Sequence, residues 1–276
     1  MTLETDVAQH YGQAGLEQRI IVALRKAGKD PDRLDPDELA PLDEFHHGGR
    51  AATATFTPRL ELRPGMRVLD IGSGIGGPAR YVARQFGCHV TGIDLTEEFV
   101  MVARALTRRL GMDGQVDFQQ GNGLAIPVAA GSFDAATLFH VGMNIENKSG
   151  LFCEVRRVLK AGGVFGIYDQ MRVGEGDLAF PVPWASRPSE NFADTPEAYK
   201  RHLSEAGFTI FWERSCAEEA LASFNQQTSQ GGSSELPPLG VHVTMGKDAD
   251  RKIAAHRRNL AAGLVAPYEM VARAMR

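Results

Sequence analysis

The sequence predicts an α/β fold, a mostly parallel sheet with helices on both faces. Three observations predict it. From residue 66 onward, short apolar runs alternate with stretches of helical spacing, the pattern of strands joined by crossover helices. The stretch Arg67-Val68-Leu69-Asp70-Ile71-Gly72-Ser73-Gly74-Ile75-Gly76-Gly77 opens as a buried strand, breaks into glycines, and runs into Pro78-Ala79-Arg80-Tyr81-Val82-Ala83, the start of a helix. And 276 residues, 43% of them hydrophobic, suffice for a sizeable core in one or two domains.

In chain order, residues 1–60 read as a helical cap. Leu16, Ile20, Ile21 and Leu24 fall at helical spacing, with Gly28 beyond them as a stop. Asp35 before Pro36 reads as an N-cap followed by proline at the first helical position. Leu42-Asp43-Glu44-Phe45-His46-His47-Gly48-Gly49-Arg50 gathers ionisable and aromatic groups beside two glycines, and a short helix over 51–60 leads to the turn Arg63-Pro64-Gly65. Strands are then expected at 67–71, 89–94, 115–119, 133–141, 164–168, 208–213 and 268–275. Helices are expected at 78–85, 97–110 and around Leu151–Leu159, the last ended by Ala161-Gly162-Gly163. Thr195 caps a further helix with Pro196 at its first position, Gln226–Gly240 is polar and glycine-rich and reads as a mobile loop, and Ala249–Leu260 is helical. The basic run Arg251–Arg258 reads as a solvated helix face.

Composition excludes several function classes. A net charge of −4 argues against nucleic acid as the main partner. No apolar run approaches the roughly 18 residues of a membrane span, so no stable membrane insertion is expected. Met1-Thr2-Leu3-Glu4-Thr5-Asp6 lacks the basic and apolar regions of a secretory signal. Cys88, Cys153 and Cys216 are too few and scattered for a disulfide framework or a cysteine zinc site, and no His/Asp/Glu spacing suggests a metal. A cytoplasmic, thiol-reduced protein is expected. The sequence leaves the oligomeric state open, a homo-oligomer included.

The glycine turn is the strongest functional signal. A strand, a glycine turn and a helix N-terminus bring backbone N–H groups and a helix dipole to one place, a site for an anionic or polar piece of a nucleotide-like ligand. Gly72, Gly74 and Gly77 satisfy G-x-G-x-x-G, the dinucleotide fingerprint, while Gly72, Gly74 and Gly76 satisfy G-x-G-x-G, the turn of methyltransferases. Asp70 stands two positions before the first glycine, where dinucleotide folds usually carry an aliphatic residue, and the turn lies behind a long helical segment. Asp94 closes the second strand 22 residues after Gly72, a feature that nicotinamide folds share. Gly121-Asn122-Gly123-Leu124-Ala125-Ile126-Pro127, Ser132-Phe133-Asp134-Ala135 and Arg157-Val158-Leu159-Lys160-Ala161-Gly162-Gly163 follow in order.

On these residues, Val68–Asp169 resembles a class I S-adenosylmethionine-dependent methyltransferase of the ubiquinone/menaquinone C-methyltransferase branch. The run Asp70–Arg80 is similar to sterol, tocopherol and sarcosine/dimethylglycine methyltransferases, and Asp43–Arg50 and Pro183-Trp184-Ala185 resemble bacterial members near the last group. The resemblance implies a Rossmann-like seven-stranded sheet, mostly parallel with an antiparallel last strand. It implies S-adenosyl-L-methionine as cofactor, with Gly72, Ser73 and Gly74 (Gly76 in the same turn) along its methionine part, Asp94 on the ribose diol and Leu95 on the adenine. Asn122 and Gly123 stand where the family often has an acid and a small residue near the adenine amine; an amide carbonyl still accepts there. Tyr11 reaches over the cofactor, and His140 borders the sulfonium.

Methyl transfer from a sulfonium needs chiefly in-line positioning and exclusion of water, with a base only for a protonated nucleophile. The candidates for that work are His140, His46, His47 and Asp169, with Tyr168 and Trp184 as substrate contacts. His89, His202, His242 and His256 are read as structural or surface groups. The expected organisation is a cap over 1–60 and a core over 61–276, with 172–206 covering the substrate. The expected function is methyl transfer to a small-molecule acceptor, leaning to N-methylation of a small amine or amino acid. A C- or O-methyltransferase on a prenylated or phenolic metabolite and an NAD(P)-dependent oxidoreductase are the alternatives.

Overall fold

A computed structural model of the chain describes residues 15–229, 237–246 and 248–276; Tyr11 lies outside them. The chain enters through three helices, α1 (Leu16–Lys26), α2 (Pro36–Asp43) and α3 (Gly49–Phe56). Asp35 caps α2 with Pro36 at its first position, as the sequence predicts, and Glu38 completes a reciprocal capping box. Leu16, Ile20, Leu24, Leu39 and Leu42 form an apolar cluster with Ile75, Phe99, Val102 and Leu106, so the cap is packed onto the glycine turn and the helix after β2.

Seven strands form one sheet in the order β3-β2-β1-β4-β5-β7-β6. They are β1 (Arg67–Ile71), β2 (His89–Asp94), β3 (Val116–Gln120), β4 (Phe133–Phe139), β5 (Leu159–Arg172), β6 (Phe208–Ser215) and β7 (Val265–Ala274). The pairs among β1 to β5 are parallel, and β7 runs antiparallel to both β5 and β6. This is the Rossmann-like sheet with an antiparallel last strand that the sequence reading expects. The crossover helices α4 (Gly77–Phe86), α5 (Glu97–Arg109), α6 (Lys148–Val158) and α7 (Pro196–Glu205) cover its two faces. Because both faces are covered, the central strands are apolar nearly throughout: Leu69 and Ile71 meet Leu151 and Phe152 of α6 on one side, and Val68 and Val90 meet Val82 and Ala83 of α4 on the other.

Three parts differ from expectation. β5 begins at Leu159, not Val164, and residues 160–163 fall where its register on β4 shifts; pairing with β7 carries it on to Arg172. The helix α8 (Ala217–Ser229) occupies part of the stretch expected as a loop, and 230–236 lie outside the described residues. Ala217–Leu221 holds strong helix formers with acids in the first turn, which outweigh the polarity that follows. α9 (His242–Met245) and α10 (Ala249–Ala261) complete the connection to β7. Of the segment 172–206 expected to cover a substrate, α7 is instead an ordinary crossover helix, with Tyr199 and Leu203 in the main core.

The strand order reverses between β1 and β4, and the crevice beyond the carboxyl ends of such strands is where open α/β sheets bind ligands.

Candidate active site

A cavity of about 360 Å³ opens at that crevice, between the glycine turn, the tips of β2 and β4 and the cap residues Asp43, Phe45 and His46. Gly72 has φ +67°, and a Cβ there would lie 2.3 Å from Val141, so glycine is required for the turn to close against the segment after β4. Gly77 is required by close approach, since a Cβ would stand 2.2 Å from the Asp43 carbonyl of α2. Three amides of the turn are already used. Ser73 N–H donates to the Ile93 carbonyl, Gly76 N–H to the Ser73 carbonyl, and Gly74 N–H to Asp94 Oδ2 at 2.8 Å. The anion cradle expected from the sequence is therefore partly closed by internal hydrogen bonds.

The charged residues along this cavity, among those described, are Asp43, Asp70, Asp94 and Glu146, with no lysine or arginine. Asp70 is buried and accepts from Thr137 Oγ1 at 2.8 Å; burial pushes its carboxyl up to about 7, with the hydroxyl pulling the other way. Burial likewise raises Asp94, against the amides of Thr96 and Gly74. It raises Asp43 as well, and the Arg80 guanidinium, 2.8 Å away and buried with it, works against the rise. Asp43 Oδ1, Asp70 Oδ2 and Ser73 Oγ are buried without hydrogen-bond partners.

A second cavity of about 390 Å³ adjoins the first, and Phe45, His46 and His140 line both. Its other walls come from the cap (Ala40, Pro41), the loop at Pro183 and Trp184, and the connection between β6 and β7 (Ser223, Val241, Met245, Ile253, His256). Four imidazoles face it, those of His46, His47, His140 and His256. Burial drives His46 and His47 down to about 4, His256 to about 3, and His140 well below the ordinary imidazole value. All four are neutral at pH 7.

The sequence-predicted residues divide accordingly. Gly72, Ser73, Gly74, Asp94, Leu95, Asn122, Gly123 and His140 share the first cavity; Gly76 lies outside its lining, beside Phe118 and Arg80. Asn122 Oδ1 accepts from the Leu124 amide and shapes its own turn. His140 has φ +54°, a conformation uncommon outside glycine, its backbone N–H donates to the Tyr168 carbonyl at 2.7 Å, and its buried side-chain Nε2 has no partner. His46 is more committed, with Nε2 3.2 Å from the Gly49 carbonyl and 3.1 Å from Thr53 Oγ1. Trp184 is buried, its Nε1 donates to Asn191 Oδ1 at 2.6 Å, and its ring meets His256 edge-on at 5.3 Å. Tyr168 and Asp169 line neither cavity. Tyr168 donates to the His47 carbonyl, and Asp169 on the opposite strand face takes the Tyr199 hydroxyl at 2.7 Å. Burial raises Asp169 to about 6.

Sequence reasoning misses two contributors to the cavities, His256 and Asp43. His256 and Lys252, expected on a solvated face, are both buried. Their spacing of four puts them on one face of α10, the local sign that this basic helix turns a side inward. Asp43 stands in the ionisable cluster that the sequence marks but is given no role there, because nothing local shows that it meets the glycine turn. Among the described residues no group of three or more His, Cys, Asp or Glu side chains is disposed to hold a metal ion.

S-adenosylmethionine fits this first cavity. It joins a nucleoside to a sulfonium and an ammonium, and the site offers unpartnered buried acceptors, acidic charge alone, and apolar walls at Ile71, Leu95, Phe99 and Ile145. A dinucleotide's pyrophosphate would meet four acidic side chains and a glycine turn in which three amides are already engaged.

Residues 69–167 match the family model described as a methyltransferase domain. The chain is 39% identical over 110 residues to the sterol 24-C-methyltransferase ERG6B of Gibberella zeae, covering 40% of this chain and 29% of that protein. It is 33% identical over 162 residues to phosphoethanolamine N-methyltransferase 1 of Arabidopsis thaliana, covering 59% of this chain and 32% of that one. The chain thus spans about a third of the length of these curated relatives. The crystal structure of geranyl diphosphate C-methyltransferase from Streptomyces coelicolor shares the fold at a TM-score of 0.71 and 18% identity, over 99% of this chain and 98% of that one.

Proposed function

We propose that this chain, whose residues 69–167 form a class I S-adenosylmethionine-dependent methyltransferase domain, transfers a methyl group to a small, largely apolar acceptor. The observation that carries the reading is the first cavity's lining, four acidic side chains and no lysine or arginine among the described residues, with Arg80 paired to Asp43 from outside that lining. That lining favours a cationic adenosyl ligand and disfavours a nicotinamide dinucleotide. Bound S-adenosylmethionine supplies a methyl group already activated by its sulfonium. Gly72–Gly74 would hold its amino-acid portion, Asp94 the ribose through lone pairs left beyond its two amide bonds, and Leu95 and the Asn122–Gly123 turn the adenine.

The acceptor belongs in the second cavity. Its walls are mainly apolar, its histidines are neutral, and among the described residues it presents no lysine or arginine. Glu44, its one acid, is engaged by Arg50 and Thr53. An amino-acid acceptor would bring a carboxylate with no cation to receive it. The cavity therefore supports C- or O-methylation of a prenylated or phenolic type of acceptor above the amino-acid N-methylation that the flanking resemblance suggests. His140 stands on the shared edge with a free, neutral Nε2, positioned to take a proton from an acceptor hydroxyl. His46 and His47 shape the chamber, and Asp169 steadies the turn after β4 through the Gly142 amide. The three cysteines are free thiols, which suits a reducing, cytoplasmic setting. Among the described residues no helix is long and apolar enough to cross a membrane.

Incubating the protein with methyl-labelled S-adenosylmethionine and a metabolite extract tests the reading. Label is expected in the neutral, solvent-extractable fraction. Label confined to zwitterionic products would refute the acceptor class, and stabilisation by NAD without any by S-adenosylhomocysteine would refute the cofactor.

A further inference from the structure

The segment Asp43-Glu44-Phe45-His46 leaves the cap and runs along both cavities, with Asp43 on the first, Glu44 on the second, and Phe45 and His46 between them. Asp43 is 3% exposed. Its Oδ2 accepts from Arg80 Nη2 at 2.8 Å, and its Oδ1 is buried with no partner. Arg80 cannot easily turn to serve both oxygens, because it also donates to the Ile75 carbonyl at 2.7 Å and to Thr107 Oγ1 at 2.9 Å. A buried carboxylate oxygen left without a donor is costly, and such atoms in native structures call for an explanation. Oδ1 lies against the start of α4, since a Cβ on Gly77 would stand 2.8 Å from it, and so beside the glycine turn. Asp70 Oδ2 and Ser73 Oγ, on the same cavity, are also without partners.

We propose that Asp43 Oδ1 receives the α-ammonium of the cofactor's amino-acid tail, so that the cap itself supplies a binding residue to the nucleoside site. This rests on the cofactor reading above. The unsatisfied atom needs an N–H or O–H donor. The sulfonium has none, and the ammonium offers three along with a charge complementary to the acidic cavity. Glu44, Phe45 and His46 follow directly in the chain, so a tail seated on Asp43 also fixes the residues that divide the two cavities.

Calorimetric titration of wild type and Asp43→Asn tests this with three ligands: S-adenosylhomocysteine, its desamino analogue, and 5′-methylthioadenosine, which lacks the tail. The amide can still accept from Arg80 but presents an NH₂ where the ammonium would sit. Asp43→Asn should weaken S-adenosylhomocysteine about 10- to 100-fold, the range for a charged hydrogen bond, and leave the other two ligands unchanged. The non-additivity of the variant and the ligand deletion then isolates the contact. Equal loss for all three ligands, or no loss for any, would overturn the proposal. If the variant fails to fold, wild type alone decides: removing the ligand's amino group must cost a comparable factor, and its absence overturns the assignment. Wild type that binds none of the three removes the cofactor reading, and this inference with it.

Discussion

The two cavities are nearly equal in size and share three residues, yet they are built on opposite electrostatic terms. The first is bordered by carboxylates whose burial resists ionisation, the second by imidazoles whose burial resists protonation. Their effects on stability therefore run in opposite directions with pH. Asp70 keeps its proton in the folded chain up to about 7, whereas an unfolded chain loses it near 4, so this group's stabilisation is full below pH 4 and drains away as pH rises to 7. His46, His47 and His256 stay neutral when folded down to 3 or 4, whereas an unfolded chain protonates them near 6.5. Their contribution is full above that value and is lost as pH falls through the interval. The difference teaches what each cavity is prepared for. Buried acidic walls that resist ionisation favour a cation beside them, and imidazoles that resist protonation keep the second cavity uncharged, suited to a neutral acceptor.

The largest test breaks the first cavity and spares the second. Arg80→Met strands the buried Asp43 carboxyl and should cost about 3–5 kcal/mol, read as a lower urea midpoint. A loss near zero would mean that the pair does not carry the seam between cap and core. Next, Asp70→Asn removes the acid that resists charging. Stability at pH 8 should rise on the order of 2–4 kcal/mol over wild type, with a flatter profile between pH 4 and 7; an unchanged slope would contradict the burial argument. The smallest sharpens the chamber's side. His256→Phe keeps a ring against Trp184 and removes one reluctant base, and it should spare about 2 kcal/mol of the acid loss at pH 5. A profile that still tracks wild type below pH 6.5 would put the acid sensitivity elsewhere.

How much of this was legible in the sequence follows the same division. The sheet and the first cavity depend on local patterns. β1 is found at Arg67–Ile71 as its apolar run and glycine punctuation predict, the Asp35 cap is a contiguous signal, and Asp94 ends β2 where spacing places it. Even there, a motif cannot tell whether backbone amides are free, and three in the glycine turn are not. The chamber is assembled from segments some two hundred residues apart, from Ala40 to His256, and no local period marks residues that meet only after folding. Spacing shows that Lys252 and His256 share a face of α10 but not what covers it. Tyr168 and Asp169 stand at the right end of the right strand, yet the tertiary packing of His47 and Tyr199 turns both away from the cavities.

A crystal structure with S-adenosylhomocysteine bound tests the central claim most directly. The ribose is expected within hydrogen-bond distance of Asp94, with the amino-acid tail beside Ser73 and its ammonium on Asp43. A nucleoside seated among the four histidines, or a ribose remote from Asp94, would contradict the division of labour between the two cavities.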